Sequence, residues 1–181
     1  MKISKKYLLL AALAGAIVTL DQATKMYIHT QFYLGETVSV INDLFNVTYV
    51  RNTGAAFGIF RDAGETFRNI FFLSMPPLAI IVILSILWGV KENDRLQIFA
   101  LSNVFGGAIG NYVDRLRFGY VIDFLDVHYQ HKFTWPAFNI ADACIVGGVG
   151  LLMIIMTRQF LEDRAADKAP SPPAEAEEAK G

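Results

Sequence analysis

Charged residues are scarce in this 181-residue chain, and their scarcity indicates the class of protein. Asp, Glu, Lys and Arg make up 18% of the residues, whereas an average soluble domain carries about 25%. Hydrophobic residues make up 54%, and the mean hydropathy is +0.37. The charges also cluster between long apolar runs. This composition argues against a soluble enzyme and against a disordered protein, and it predicts an integral membrane protein.

Other signals are also missing. A single cysteine, Cys144, excludes an internal disulfide and any metal site built from several cysteines. The net charge of −1 provides no basic field, so we expect no nucleic-acid partner. The chain contains no HExxH motif, no GxSxG motif and no Cys/His pair arranged for nucleophilic attack. We therefore expect no metal and no cofactor, and we interpret Asp126, His128 and His131 as ordinary loop residues.

Four apolar segments approach the roughly 20 residues that a helix needs to cross the hydrocarbon core of a bilayer. They cover about 7–28, 70–90, 96–113 and 138–157. Because lipid offers no partner for unpaired backbone groups, these segments should be helices rather than open strands. An alternative for the first is a cleaved signal peptide, since lysines precede its apolar core. The segment continues past Leu20 with Asp21, Gln22 and Lys25, which favours a retained helix.

The loops between these segments predict the topology and a small sheet. Basic residues are more concentrated on one side, so both termini should face the cytoplasm. The outer segment at about 30–67 contains two β-prone runs, 38–41 and 45–50, separated by Asn42 and Asp43. We predict a membrane all-α fold: a four-transmembrane-helix bundle with a small extracytoplasmic β-cradle, forming a single domain over 1–161. The proline- and Ala/Glu-containing segment 162–181 should be a disordered tail.

Polar residues near the outer boundary are functional candidates, because they are costly at membrane depth. Asn111 and Asp114 end the third segment, Asn139 and Asp142 begin the fourth, and Asp123 lies between them. Two neighbouring carboxylates share one proton near neutral pH, so one can activate water while the other polarises a carbonyl. This is aspartic peptidase chemistry, although the residues alone do not separate Asp114 from Asp123.

Two alternatives compete with this interpretation. Isolated polar residues in a bundle often serve packing, so Asp21 and Lys25 fit a structural ion pair, and Asp114 beside Arg115 fits an ion-paired or orienting residue. The protein could also be a non-enzymatic proton or ion conduit. A conduit needs polar groups along its full depth, whereas the cytoplasmic halves of the second and fourth segments are apolar apart from Ser85.

Five blocks of the chain resemble bacterial lipoprotein signal peptidase, or signal peptidase II. The blocks are DQATK at 21–25, RNTGAAF at 51–57, GGAIGNYVDR at 106–115, VIDF at 121–124 and FNIAD at 138–142. The resemblance implies an intramembrane aspartic endopeptidase. Such enzymes remove the signal peptide of prolipoproteins, cutting before a cysteine that carries diacylglycerol.

The resemblance also implies residue roles, partners and location. Asp123 and Asp142 would form the catalytic dyad, while Asn52, Gly54 and Arg115 would bind or cover the substrate. The expected orienting residues are Asn111, Asp114 and Asn139, and the expected supporting residues are Asp21 and Lys25. Lipidated prolipoproteins and membrane phospholipid would be the partners of a monomer. It would lie in the bacterial cytoplasmic (inner) membrane, with the active site near the outer face.

Overall fold

The computed structural model describes residues 4–54, 64–130 and 133–167, without the side chains of Glu65, Arg68 and Asn69. In these ranges the chain forms four helices and four strands. In chain order these are α1 (Lys5–Gln31), β1 (Thr37–Ile41), β2 (Phe45–Asn52), α2 (Glu65–Gly89), α3 (Arg95–Phe118), β3 (Val121–Tyr129), β4 (Phe133–Thr134) and α4 (Ile140–Asp167). The predicted helical segments are therefore all present as helices.

Three of the helices in the described ranges are long and apolar enough to cross a membrane, namely α1, α4 and the part of α2 from Ile70 to Gly89. The third predicted segment, now α3, does not meet that criterion, because polar residues such as Asn103, Asn111 and Asp114 lower its hydropathy. Its position is central, since it packs against all three other helices. Composition alone therefore supports three membrane-crossing helices.

Glycines on α3 and α4 allow these helices to approach closely. A Cβ added at Gly107 would lie 2.4 Å from the carbonyl oxygen of Ala141 on α4, and one added at Gly110 would lie 2.6 Å from Oδ2 of Asp21 on α1. On α4, a Cβ at Gly148 would lie 2.7 Å from the carbonyl oxygen of Ala100 on α3. Small residues at helix contacts are typical of packing in membranes.

The four strands form one antiparallel sheet in the order β1-β2-β3-β4. The predicted hairpin is confirmed: β1 pairs with β2 with Val38 opposite Val47, and Asp43 in the turn has a φ of 62°. Strand β3 was not predicted. It pairs with β2, which places Asp123 opposite Val50 and Val121 opposite Asn52.

The start of β3 lacks the alternating pattern that identifies a strand. Val121, Ile122, Asp123 and Phe124 are all buried, so both faces of this part of the strand are covered. The sequence of a strand that is covered on both faces is a continuous apolar run, without the alternation of apolar and polar residues that marks a half-exposed strand. The segment therefore looked like part of an outer loop, and the sheet is larger than the predicted cradle.

Two apolar clusters hold the helices and the sheet together. One joins α1, α2 and α3 through Leu10, Ile83, Leu87, Val90, Ile98 and Leu101. The other docks the sheet against the end of α1 through Ile28, Tyr49, Ile122 and Phe124. Beside the first cluster, the Lys6 ammonium donates to the carbonyls of Trp88 and Val90 at 2.7 and 2.9 Å and so caps α2.

Helix α4 extends further than the predicted domain boundary at 161. Within the described residues it continues to Asp167, because residues 162–167 contain alanines, Glu162 and Arg164, which favour helix. Residues 168–181 lie outside the described residues, so disorder of that part remains a prediction. Ala55, Ala56 and Phe57 of the second block and His131 also lie outside them.

Candidate active site

Asn139 lies at the centre of the site and contacts both predicted dyad carboxylates. It precedes α4, and its Oδ1 accepts a hydrogen bond from the backbone N–H of Asp142 at 2.8 Å. Oδ2 of Asp142 in turn accepts from the backbone N–H of Asn139 at 3.3 Å. This reciprocal pair is a capping box at the start of α4. The side-chain amide of Asn139 donates to Oδ1 of Asp123 at 2.7 Å, so one asparagine holds both acids.

Two further asparagines donate to the remaining carboxylate oxygens. Asn52 donates to Oδ2 of Asp123 at 2.9 Å, and Asn111 donates to Oδ1 of Asp142 at 2.7 Å. Their amide orientations are fixed, because the oxygen of Asn52 accepts from Gly54 N–H and that of Asn111 accepts from Lys25. All four carboxylate oxygens therefore receive an N–H donor.

Burial makes the two acids electrostatically different. Asp123 is 2% exposed. Desolvation raises the pKa of Asp123 to about 7, the charge of Asp142 adds to this shift, and the hydrogen bonds from Asn52 and Asn139 oppose it. Asp142 is only half-buried. Near neutral pH the Asp123 carboxyl is therefore close to half-protonated beside a second carboxylate.

A buried ion cluster lies beneath the carboxylate pair. The ammonium of Lys25 lies 2.8 Å from Oδ2 of Asp21 and 3.1 Å from Oδ2 of Asp114, and all three side chains are at most 1% exposed. Asp21 also accepts from the backbone N–H of Ala141 at 2.9 Å, and Asp114 accepts from that of Ile122 at 3.0 Å. The cluster thus ties α1 and α3 to β3 and α4 beside the site.

This cluster corrects the expected partner of Asp114. The charge that pairs with Asp114 is Lys25, not its neighbour Arg115. Successive helix residues point in different directions, so adjacency in sequence does not bring the two side chains together. Arg115 instead donates to the carbonyls of Asn111 and Gly54, at 3.4 and 3.5 Å, and its guanidinium lies 5.2 Å from the centre of the Phe72 ring.

Gln22 is a site residue to which the sequence reasoning assigned no role. Its side-chain amide donates to Oδ1 of Asp114 at 2.8 Å and to the carbonyl of Gly110 at 3.1 Å. The available signal was an amide next to Asp21 in an otherwise apolar segment. Helical spacing could not show that it reaches α3.

Residues with metal-ligating side chains do not gather elsewhere. Within residues 4–54, 64–130 and 133–167, no three His, Cys, Asp or Glu side chains are placed to hold a metal ion. His128 lies on β3, with Nδ1 3.7 Å from Oδ2 of Asp126. Cys144 is half-buried on α4. The described site therefore consists of carboxylates, amides and two cations.

The fold and the site together define a helical membrane protein with a paired-carboxylate centre held by asparagines. Residues 13–158 match the family model described as signal peptidase (SPase) II. The chain therefore belongs to the signal peptidase II family, and this membership makes it a peptidase. The resemblance carried by the five sequence blocks is confirmed.

Relatives and solved structures agree with this assignment. The chain is 45% identical over 158 residues to a lipoprotein signal peptidase of Syntrophus aciditrophicus, which covers 87% of this chain and 98% of the relative. It is 42% identical over 149 residues to one of Geobacter sulfurreducens, with 82% and 91% covered. It also resembles a bacterial membrane enzyme solved in meso at 2.3 Å, with a TM-score of 0.74, 32% identity, and 90% and 93% of the two chains covered.

Proposed function

We propose that this protein is an intramembrane aspartic endopeptidase that removes the signal peptide from diacylglyceryl-modified prolipoproteins, cutting before the lipidated cysteine. The observation that carries the proposal is the pairing of Asp123 and Asp142 through one asparagine, Asn139. The relatives named lipoprotein signal peptidase indicate the substrate class. Paired carboxylates activate water without a metal and without a covalent intermediate.

The surroundings of the two acids favour different roles. Asp123 holds the shared proton, because it is buried among Val121, Ile122 and Phe124 and its pKa is raised to about 7. Asp142 is the general base, since it lies in the first turn of α4, where the helix dipole and backbone N–H groups favour a negative charge. Asp142 takes a proton from water as the water oxygen bonds to the carbonyl carbon, and Asp123 donates its proton to the carbonyl oxygen. Asp142 then passes its proton to the peptide nitrogen as the C–N bond breaks, and Asp123 recovers a proton from the diol, which releases the amine and restores the dyad.

Three groups beside the dyad are suited to hold the scissile peptide. Asn52 is the last residue of β2, the carbonyl of Gly54 follows two residues later, and Arg115 on α3 donates to that carbonyl. Arg115 adds a positive charge near the carbonyl oxygen that becomes negative during attack. The acyl chains of the substrate would remain against exposed apolar residues of the helices, such as Leu73 and Leu78 on α2.

The proposed topology has four transmembrane helices in the bacterial cytoplasmic (inner) membrane. Helix α3 has 24 residues, which at 1.5 Å per residue is about 36 Å, enough to span the core. Its polar residues are acceptable there because α1, α2 and α4 surround it. Both termini face the cytoplasm, the dyad lies near the outer face, and the protein works as a monomer in contact with phospholipid.

The test is cleavage of a prolipoprotein by the purified protein in detergent, with diacylglyceryl-modified and unmodified substrate side by side. We expect cleavage of the lipidated form only. Asp123→Asn and Asp142→Asn should each abolish turnover. Asp126→Asn is the matched control, because Asp126 lies on the same strand and binds Asn46 at 2.9 Å rather than the site.

Each result has a defined meaning. Cleavage of both substrate forms would agree with the aspartic mechanism but would contradict entry of the substrate from the membrane. Retained cleavage by Asp142→Asn would exclude the dyad. If an active relative cut the substrate and this protein cut neither form, the conduit would become the better hypothesis.

A further inference from the structure

Two arginines lie on a stacked aromatic pair where α3 ends. Phe118 and Tyr120 stack with ring centroids 5.7 Å apart and an interplanar angle of 22°. The guanidinium of Arg117 lies 5.0 Å from the Phe118 ring centre, and that of Arg51 on β2 lies 4.7 Å from the Tyr120 ring centre. Cation–π contacts of this kind hold a guanidinium in place while leaving its N–H groups available.

The Arg51 side chain is fixed further by Tyr49. Its Nε donates to the Tyr49 hydroxyl at 3.0 Å, and that hydroxyl lies 2.6 Å from Nδ1 of His29. Tyr49 is 2% exposed, so it gives Arg51 a rigid support. Because Nε of Arg51 donates to the buried Tyr49, the two terminal amino groups of the guanidinium remain to form the exposed fork.

Neither arginine has a counter-charge among the residues that the structure describes. No carboxylate there lies within ion-pair distance of Arg51 or Arg117, and no hydrogen bond in these ranges uses the terminal nitrogens of Arg51. Both side chains are exposed. Two preorganised cations without an acidic partner are suited to bind an oxyanion, which a guanidinium fork can contact through two parallel hydrogen bonds.

The place of the cluster in the fold indicates the source of the anion. His29 lies in the last turn of α1, and Phe118 is the last residue of α3, where Gly119 ends the helix with a φ of 75°. In the topology proposed above, on which this inference rests, both helix ends lie at the outer membrane boundary. Aromatic residues concentrate at that level. Exposed Tyr27 and Leu116 near the same helix ends offer apolar contact for acyl chains.

We propose that Arg51 and Arg117, supported by His29, Tyr49, Phe118 and Tyr120, form a binding site for the phosphate of an anionic phospholipid in the outer leaflet. The site is separate from the dyad. Val50 and Asn52 pair with Asp123 and Val121, and adjacent strand residues point to opposite faces, so Arg51 projects from the other face of the sheet. The bound lipid would anchor the sheet over the helix ends.

The test is lipid binding to the full chain in neutral detergent by native mass spectrometry, with phosphatidylglycerol and phosphatidylcholine as probes. Each arginine near a membrane surface contributes about a fivefold change in affinity. Arg51→Gln with Arg117→Gln should therefore weaken phosphatidylglycerol binding about 25-fold, with a smaller change for phosphatidylcholine. The matched control is Arg158→Gln with Arg164→Gln, which removes two exposed arginines from α4, one of them stacked on Phe160 at 5.5 Å.

Two outcomes would overturn the inference. Equal loss of binding in both double variants would show only general attraction between charges. Displacement of phosphatidylglycerol by millimolar glycerol 3-phosphate would assign the site to a free phosphate ester instead of a lipid. Unfolding temperatures of both variants control for folding. The binding assay contains no substrate, and Asp142→Asn should bind lipid as the unchanged protein does. A failure of this inference is therefore distinguishable from a failure of the proposed peptidase activity.

Discussion

Replacing Lys25 with methionine should destabilise the protein more than replacing a lysine that forms no buried ion pair. Methionine keeps the length of the side chain but removes the charge that Asp21 and Asp114 share at 2.8 and 3.1 Å. Both carboxylates would then be buried without a cation. The substitution also removes the donor at 2.9 Å that fixes the oxygen of Asn111.

The size of the effect follows from burial. Removing one partner of a buried ion pair costs about 3–5 kcal/mol, because an uncompensated charge remains. For a chain of this length, 1 kcal/mol changes the unfolding temperature by roughly 2–4 °C. We therefore expect a decrease of about 6–20 °C. Cleavage should also fall, because the Asn111 oxygen then keeps only the longer hydrogen bond from Asn139 at 3.2 Å, and its amide is held less firmly on Asp142.

The assay is thermal unfolding in detergent, with Lys6→Met as the matched control. Lys6 is also buried, but it donates to two backbone carbonyls and pairs with no described carboxylate. Losing two hydrogen bonds from a charged donor costs about 3 kcal/mol at the lower end of the usual range, but it leaves no unpaired charge behind. Lys6→Met should therefore lower the unfolding temperature less than Lys25→Met and leave cleavage of the lipidated substrate largely intact.

A second comparison separates the charge effect from lost packing. Adding Asp21→Asn and Asp114→Asn to Lys25→Met removes the stranded charges, so the triple variant should recover much of the lost stability. It should not recover full activity, because Asn111 still lacks the closer of its two donors, the Lys25 ammonium at 2.9 Å. If Lys25→Met were no more destabilising than Lys6→Met, the three side chains would not act as a buried ion cluster.

Two further predictions concern the dyad and the helix contacts. Cleavage should fall about tenfold per pH unit as the pH rises through about 7, because Asp123 then loses its proton. Asn52→Leu should move this decline to higher pH, since it removes a hydrogen bond that lowers the pKa of Asp123; a shift to lower pH in the measured rate profile would contradict the assignment. Gly107→Ala should lower the free energy of unfolding by about 1–3 kcal/mol, because its Cβ would lie 2.4 Å from the Ala141 oxygen. Gly147→Ala is the control with nothing within 4 Å and should be neutral or stabilising, and equal unfolding temperatures would refute the packing argument.

The helices and the first hairpin could be predicted because their signals are local. Long apolar runs specify helices in lipid, and the β-prone runs around Asn42 and Asp43 specify a tight antiparallel turn. The Asn111–Asp114 and Asn139–Asp142 pairs, which predict the site, could also be recognised from the sequence. Their physical basis is partly local as well, since Asn139 and Asp142 form a capping box within four residues.

Strand β3 shows where local signals fail. The residues around Asp123 are buried on both faces by contacts with distant parts of the chain, so no alternation marks the strand. At α4, helix-favouring residues continue the helix past the boundary that composition suggested. In helix α3, polar residues lower the hydropathy by which a membrane-crossing helix is recognised. Its central position among the other three helices explains why these polar residues are there.

The class of protein, the helical segments, the β1–β2 hairpin and, through the five blocks, the family could all be predicted from the amino-acid sequence. Which side chains meet depends on how the helices and strands pack. Lys25 pairs with Asp114 although Arg115 is adjacent to it, Gln22 reaches α3, and Asn139 joins two carboxylates that lie 16 and 3 residues away along the chain. These contacts depend on the directions in which α1, α3, β3 and α4 present their residues, and helix packing rather than sequence distance fixes those directions.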